Sequence, residues 1–164
     1  TFAKKLSAVL GHPYIEMDKI FWEPNWTMPS DDVFFERLKT ALQGDHWVLD
    51  GNYTRTVPIK WQKIDMVIWL DYSFPRTLFQ AVCRAAHRAW SKDELWEGTG
   101  NRESFRKSFF SKDSIIWWTI TSYKKVRERY VRTLQDPKFS HIRFVRLKSH
   151  AAAEKLLADL AKPS

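Results

Sequence analysis

Cysteine is almost missing from this sequence. Its single thiol, Cys83, excludes an internal disulfide, a thiolate zinc cluster and a CxxC redox motif, and reads as a small packing residue. Long apolar runs are missing too: none approaches the ~18 consecutive apolar residues of a membrane helix. The opening stretch TFAKKLSAVLGH is too short and interrupted for a signal peptide, and no small-residue cleavage site follows it. No membrane association and a cytoplasmic address are therefore expected. The five histidines, His12, His46, His87, His141 and His150, lack HxxxH or HxH spacing, so a histidine metal site would have to be assembled wholly by the fold. There is no internal repeat and no low-complexity tract.

What is present is globular: 164 residues, 44% apolar and 28% charged, the size of one domain able to bury a sizeable core. The net charge of +8 is unevenly placed. Arg76 to Lys148 holds 17 Lys+Arg against 7 Asp+Glu, whereas residues 1–75 hold 8 against 10. Such asymmetry points to an anionic partner, either nucleic acid or a phosphorylated small molecule, with a solvated basic helix as the plainer alternative.

Phe2, Leu6, Val9 and Leu10 share a helical face, and Gly11 before Pro13 is a helix stop. Thr1 could cap this helix, but an element upstream of it is the simpler expectation. A strand is expected over Tyr14–Met17, closed by Asp18 and followed by the aromatic loop FWEPNWTMP. Ser30 opens a helix that runs to Gly44, and a strand at Trp47–Leu49 leads into DGNY. Met66–Leu70 and Ile142–Leu147 read as further strands, with helices at Phe74–Ala89, within Ser104–Leu134, and from about Ala151 to Leu160. Strands separated by crossover helices imply one parallel sheet covered on both faces, with ligands at the carboxyl ends of its strands. Trp117 and Trp118 lie in an apolar helical stretch and read as core.

The segments IEMDKIFWEPNW, WVLDGNY, MVIWLDYSFPR, NRESFRKSFFSKDSIIWW and RERY span Ile15 to Tyr130 in that order. Together they resemble the adenylate-kinase-related P-loop proteins often labelled DNA topology modulation proteins, and WVLDGNYTR is similar to the strand-three motif of adenylate kinases. The resemblance implies a P-loop NTPase fold of the nucleoside-monophosphate-kinase kind: a single domain over 1–164, a parallel sheet flanked by helices, and a helical lid around residues 89–103. It also implies a GxxxxGKS loop ending at Thr1, preceded by a strand. The phosphate-binding lysine would then lie ahead of these residues, and residues 1–164 alone would turn over poorly.

The implied activity is ATP-dependent phosphoryl transfer to a nucleotide or another small acceptor, with ATP and Mg2+ as cofactors. Asp50 would hold a magnesium-bound water; an Asx-turn cap is the alternative. Asp71 would orient the metal shell or the nucleophile, or cap the helix after Ser73. Asp18 would face the acceptor and bind or deprotonate its hydroxyl, with a structural salt bridge as its alternative. Arg55 is placed for an acidic or phosphorylated acceptor, or for solvent, and Trp22, Asn25 and Trp26 for an acceptor wall, or for core packing. Thr1, Lys148 and Ser149 fall on the side of ATP binding. The pairs Arg84/Arg88 and Arg102/Arg106 flank the lid and would steady transition-state charge; the alternative is solubilising surface arginines. A nucleic-acid-binding protein affecting DNA topology, binding weakly through the basic half, and a nucleotide-regulated binding module without turnover are the competing readings.

Overall fold

The computed structural model describes residues 1–103 and 114–162. The chain is α/β and divides into two compact units. The first joins Thr1–Ile64 to Ser149–Ser164, and the second is Asp65–Lys148.

In the first unit, α1 (Phe2–Leu10) starts at Thr1, whose hydroxyl accepts from the Lys4 N–H, and stops at Gly11 in the left-handed conformation with φ 66°. Strand β1 (Tyr14–Glu16) pairs in parallel with β2 (Val48–Asp50), with Glu16 opposite Asp50. The chain between them supplies α2 (Met17–Phe21) and α3 (Asp31–Ala41), the latter capped by Ser30 with Asp31 and Asp32 in its first turn, where carboxylates suit the helix dipole. The core gathers Met17, Phe21, Phe34, Leu38 and Leu42 from these two helices and the residue after them. A single turn, α4 (Val57–Lys60), follows β2, and α7 (His150–Leu160), the last helix, packs on α1. The exposed Lys5–Glu154 pair at 2.7 Å links these two helices and adds little stability in water.

In the second unit, β3 (Met66–Leu70) and β4 (Arg143–Leu147) form another parallel pair, with Leu70 opposite Leu147. Between them come α5 (Phe74–Ser91) and α6 (Ile115–Leu134), which pack together. The buried stripe Ala81, Ala85 and Ala89 at i, i+4, i+8 gives α5 a flat face that permits close approach.

Several expectations shift. The expected single parallel sheet is present as two two-stranded parallel sheets among the described residues. Asp18 does not close a strand: β1 ends at Glu16, and Asp18 sits in the first turn of α2, because Met17 turns into the core. The second strand runs one residue later than expected and includes Asp50. Trp117 and Trp118 are not core but half exposed, at 50% and 52%. The inward face of α6 is carried instead by Thr119, whose hydroxyl is satisfied by the Ile115 carbonyl, and by Tyr123 and Tyr130; at 100° per residue Trp117 falls nearly opposite Thr119.

Gly51 fixes the end of β2. It has φ 148°, and a Cβ placed on it would lie 2.6 Å from the Met17 Cβ, so only a bare Cα fits there. Gly51→Ala should therefore lower the stability of the first unit by about 2 kcal/mol or more through overpacking and backbone strain. Thermal denaturation compared with Gly98→Ala, whose added Cβ meets nothing within 4 Å, measures the packing share; equal losses would remove the Met17 contact as the cause.

Candidate functional site

Two carboxylates stand at the carboxyl end of the β1–β2 pair, and each is held by a tyrosine. The Tyr14 phenol donates to Asp50 Oδ2 at 2.9 Å, and the Thr1 hydroxyl lies 3.4 Å from the same oxygen. The Tyr53 phenol donates to Asp18 Oδ1 at 2.7 Å. Asp50 and Asp18 are both partly buried, and the other oxygen of each accepts from no described side chain. Thr1 is also the cap of α1, so the first turn of that helix opens onto Asp50.

The phenols are held in their protonated form. Burial, then the Asp50 charge and hydrogen bond, push the Tyr14 pKa well above its ordinary value. Burial, then the hydrogen bond to Asp18, do the same for Tyr53. Both therefore stay donors across the physiological range. Neither tyrosine was marked as functional by sequence pattern; Tyr53 stands inside DGNY and Tyr14 begins a strand, but no spacing rule links either to a carboxylate 35 or 36 residues away.

Beside Asp18 lies an aromatic cup. Phe21 meets Trp22, Phe34 and Tyr53 at ring-centroid separations of 4.9–5.0 Å, and Trp22 meets Trp26 edge-on at 5.5 Å. The Arg55 guanidinium sits 4.9 Å from the Phe21 ring and 5.4 Å from Phe34, and pairs with the exposed Asp31 at 2.8 Å. Asn25 and Trp26 both have φ 60° in the turn that Thr27 closes onto the Pro24 carbonyl. Two successive non-glycine residues in that region carry strain, the sort of cost that gathers at ligand sites. Asp18, Trp22, Asn25, Trp26 and Arg55 thus fall on one stretch of the first unit.

The remaining candidates lie elsewhere. Both oxygens of Asp71 accept from the Arg127 Nε, at 3.0 and 3.4 Å, and its Oδ2 also accepts from the Arg146 Nε at 2.8 Å, all in the second unit. A carboxylate already flanked by two guanidiniums is a poor cation ligand, so Asp71 reads as the anchor of an ion-pair cluster and not as part of a metal shell. Its buried side chain also does not cap α5, whose cap position is Ser73. Arg84 and Arg88 are exposed on α5; Arg88 reaches Glu103 at 3.4 Å. Arg102 donates to the Lys92 carbonyl at 3.0 Å and lies in a bridge opposite Glu94. The segment between is a tight loop that buries Trp96 and Asn101 and bonds Leu95 N–H to the Asn101 carbonyl at 2.9 Å. Arg106 lies outside the described residues. Ser149 uses its hydroxyl to cap α7, accepting from the Ala152 N–H, and Lys148 is exposed.

Among the described residues no group of three or more His, Cys, Asp and Glu side chains is gathered as a metal site. Magnesium is commonly held by one or two carboxylates together with substrate phosphates, and Asp50 with the Thr1 hydroxyl offers the oxygen donors such an ion takes. No described helix is long and apolar enough to cross a membrane. A scan of protein-family models, a search of curated proteins and a search of solved structures return no match to this chain.

The raised phenol pKa values carry a stability signature. A tyrosine that resists ionisation in the folded state contributes stability that is full below its unfolded pKa of ~10 and is lost as pH rises through the folded value. Tyr53→Phe should cost about 1 kcal/mol at pH 7 by removing the bond to Asp18, and the gap from the parent should narrow above pH ~10. Urea denaturation of both proteins at pH 7, 9 and 10.5 measures this; a gap that stays constant contradicts the assignment.

Proposed function

We propose that the protein is an ATP-dependent phosphotransferase of P-loop, nucleoside-monophosphate-kinase-like fold, acting on a small acceptor that carries a hydroxyl or phosphoryl group. The observation that carries this reading is the pair of tyrosine-held carboxylates at one end of a parallel strand pair, with a helix start at Asp50 and a cationic, aromatic cup beside Asp18. Helix starts and the carboxyl ends of parallel strands are where phosphates bind in α/β proteins. The resemblance of WVLDGNYTR to the strand-three motif of adenylate kinases supports the same reading.

Phosphoryl transfer needs positioning and charge compensation more than a protein nucleophile. In this proposal Asp50, aimed by Tyr14 and Thr1, would hold magnesium through its water shell. The ion would supply charge neutralisation at the phosphates when bound. Asp18, aimed by Tyr53, accepts the proton or hydrogen bond of the acceptor's attacking hydroxyl. Arg55 exchanges the exposed Asp31 carboxylate for an anionic group on the acceptor, a swap that costs little because a surface pair is weak. Trp22 and Trp26 supply apolar contact area that excludes water from the acceptor. A lysine of the GxxxxGKS loop that the resemblance implies would complete the phosphate cradle.

The test uses the full-length gene product. ADP release should rise on adding a suitable acceptor from a panel of nucleoside monophosphates and small acidic alcohols. Asp50→Asn should lower turnover by on the order of 10²-fold or more, and Arg55→Ala should act mainly on the acceptor KM. Circular dichroism checks that both variants fold. If no acceptor stimulates ADP release, or the coding sequence ahead of Thr1 lacks a glycine-rich loop, the reading is wrong.

A further inference from the structure

One helix of the second unit is apolar on two sides. Its buried side is the alanine stripe of α5, the helix that packs with α6. The other side carries Phe79, Cys83, Ala86 and Trp90, at i, i+4, i+7 and i+11. At ~100° per residue these four fall within about 60° of one another, in a line ~16 Å long that is turned away from the alanines. Phe79 is 67% exposed and Trp90 90%, and Cys83, expected to pack, is exposed between them. Apolar residues at this spacing mark the face of a helix that is normally covered.

The charge around this stripe is of one sign. Helix α5 contains Arg76, Arg84 and Arg88 and no Asp or Glu. Arg88 reaches Glu103, while Arg76 and Arg84 are exposed beside the outward half of the helix. The unit as a whole, Asp65–Lys148, holds 17 Lys+Arg against 9 Asp+Glu, a surplus equal to the whole net charge of the chain. Whatever covers Phe79 and Trp90 must therefore be apolar where it meets the rings and negative around them. A second copy of the same face would set two all-cationic helices side by side, with no carboxylate of α5 to pair them.

We propose that the outer face of α5 docks on an anionic lipid bilayer, with Phe79 and Trp90 inserted at the boundary of headgroups and acyl chains and Arg76 and Arg84 at the level of the lipid phosphates. Tryptophan and phenylalanine suit that boundary, and long arginine side chains reach from an apolar face to the headgroups. Each cation near an anionic leaflet adds to the attraction. A bilayer meets a convex helix along its outermost line, so no pocket and no convergence of cations is needed, and fluid acyl chains fill the low ground over Cys83 and Ala86. The expectation of no membrane association rested on the lack of a spanning segment, which a helix lying at the surface does not require. The inference uses only the second unit and is independent of the phosphotransferase reading.

Co-sedimentation of the full chain with large vesicles at physiological ionic strength tests it. The parent should partition onto vesicles of equal parts phosphatidylglycerol and phosphatidylcholine about tenfold better than onto phosphatidylcholine alone, and added salt should weaken the partitioning. The double variant Phe79→Gln, Trp90→Gln should lose about tenfold or more on the anionic vesicles. Both positions are exposed and glutamine is a good helix former, so the fold is kept, and circular dichroism verifies this. Asp50→Asn should partition like the parent, which separates this face from the proposed phosphotransferase site. Absence of binding by the parent, equal partitioning onto both vesicle types, or unchanged partitioning of the double variant would overturn the assignment. A concentration-dependent dimer in sedimentation equilibrium, or a single-stranded oligonucleotide bound more tightly than the anionic vesicles, either one abolished by the same double variant, would overturn the choice of partner.

Discussion

The contact between Met17 and the bare Cα of Gly51 governs the arrangement of the first unit. Met17 is fully buried at the centre of the core, and no side chain fits on Gly51 beneath it. The residue after Met17 is Asp18, and the residue before Gly51 is Asp50. Bringing these two backbones together thus places both carboxylates at one end of the β1–β2 pair. The phenols of Tyr14 and Tyr53 then fix one oxygen of each. Core packing and the chemistry of the site share one constraint, which is why the Asp-Gly step matters beyond its turn-forming habit.

Carboxylates at strand ends meet different fates in the two units. Asp50 and Asp18 have neutral donors for partners, so their charge is oriented without being cancelled. Asp71, at the end of β3, is buried between Arg127 and Arg146 and its charge is spent within the protein. A buried carboxylate with two guanidiniums is costly to break and indifferent to added cations. The same residue type in the same topological place therefore does two jobs: presenting negative charge in one unit, and anchoring two guanidiniums in the other.

Much of the local structure was legible in the sequence. The limits of α1 followed from apolar spacing and Gly11, the start of α3 from Ser30 with its two aspartates, though it ends at Ala41 and not at Gly44, and Met66–Leu70 from its continuous apolar run. The sheet arrangement was not, because strand signals of three to five residues carry no information about which strands pair. Asp50 was readable as a strand-end acid, whereas Asp18, expected to close a strand, opens α2 instead; the tyrosines that hold them were not readable, since those bonds join residues 35 and 36 positions apart. The Arg127–Asp71 bond, across 56 positions, was hidden for the same reason. Trp117 and Trp118 misled because their apolar character suggested burial, whereas the wheel of α6 turns Thr119 inward in their place.

The central proposal is that Asp50, rather than Asp71, is the carboxylate that would meet a metal-bound nucleotide. Carbon-13 NMR of the aspartate side-chain carboxyls in the full-length protein, titrated with magnesium and a non-hydrolysable ATP analogue, reads both groups in one experiment. The Asp50 carboxyl signal should move, and move less without magnesium, while the Asp71 signal stays in place. A shift confined to Asp71, or none at Asp50 at saturating nucleotide, would contradict the account.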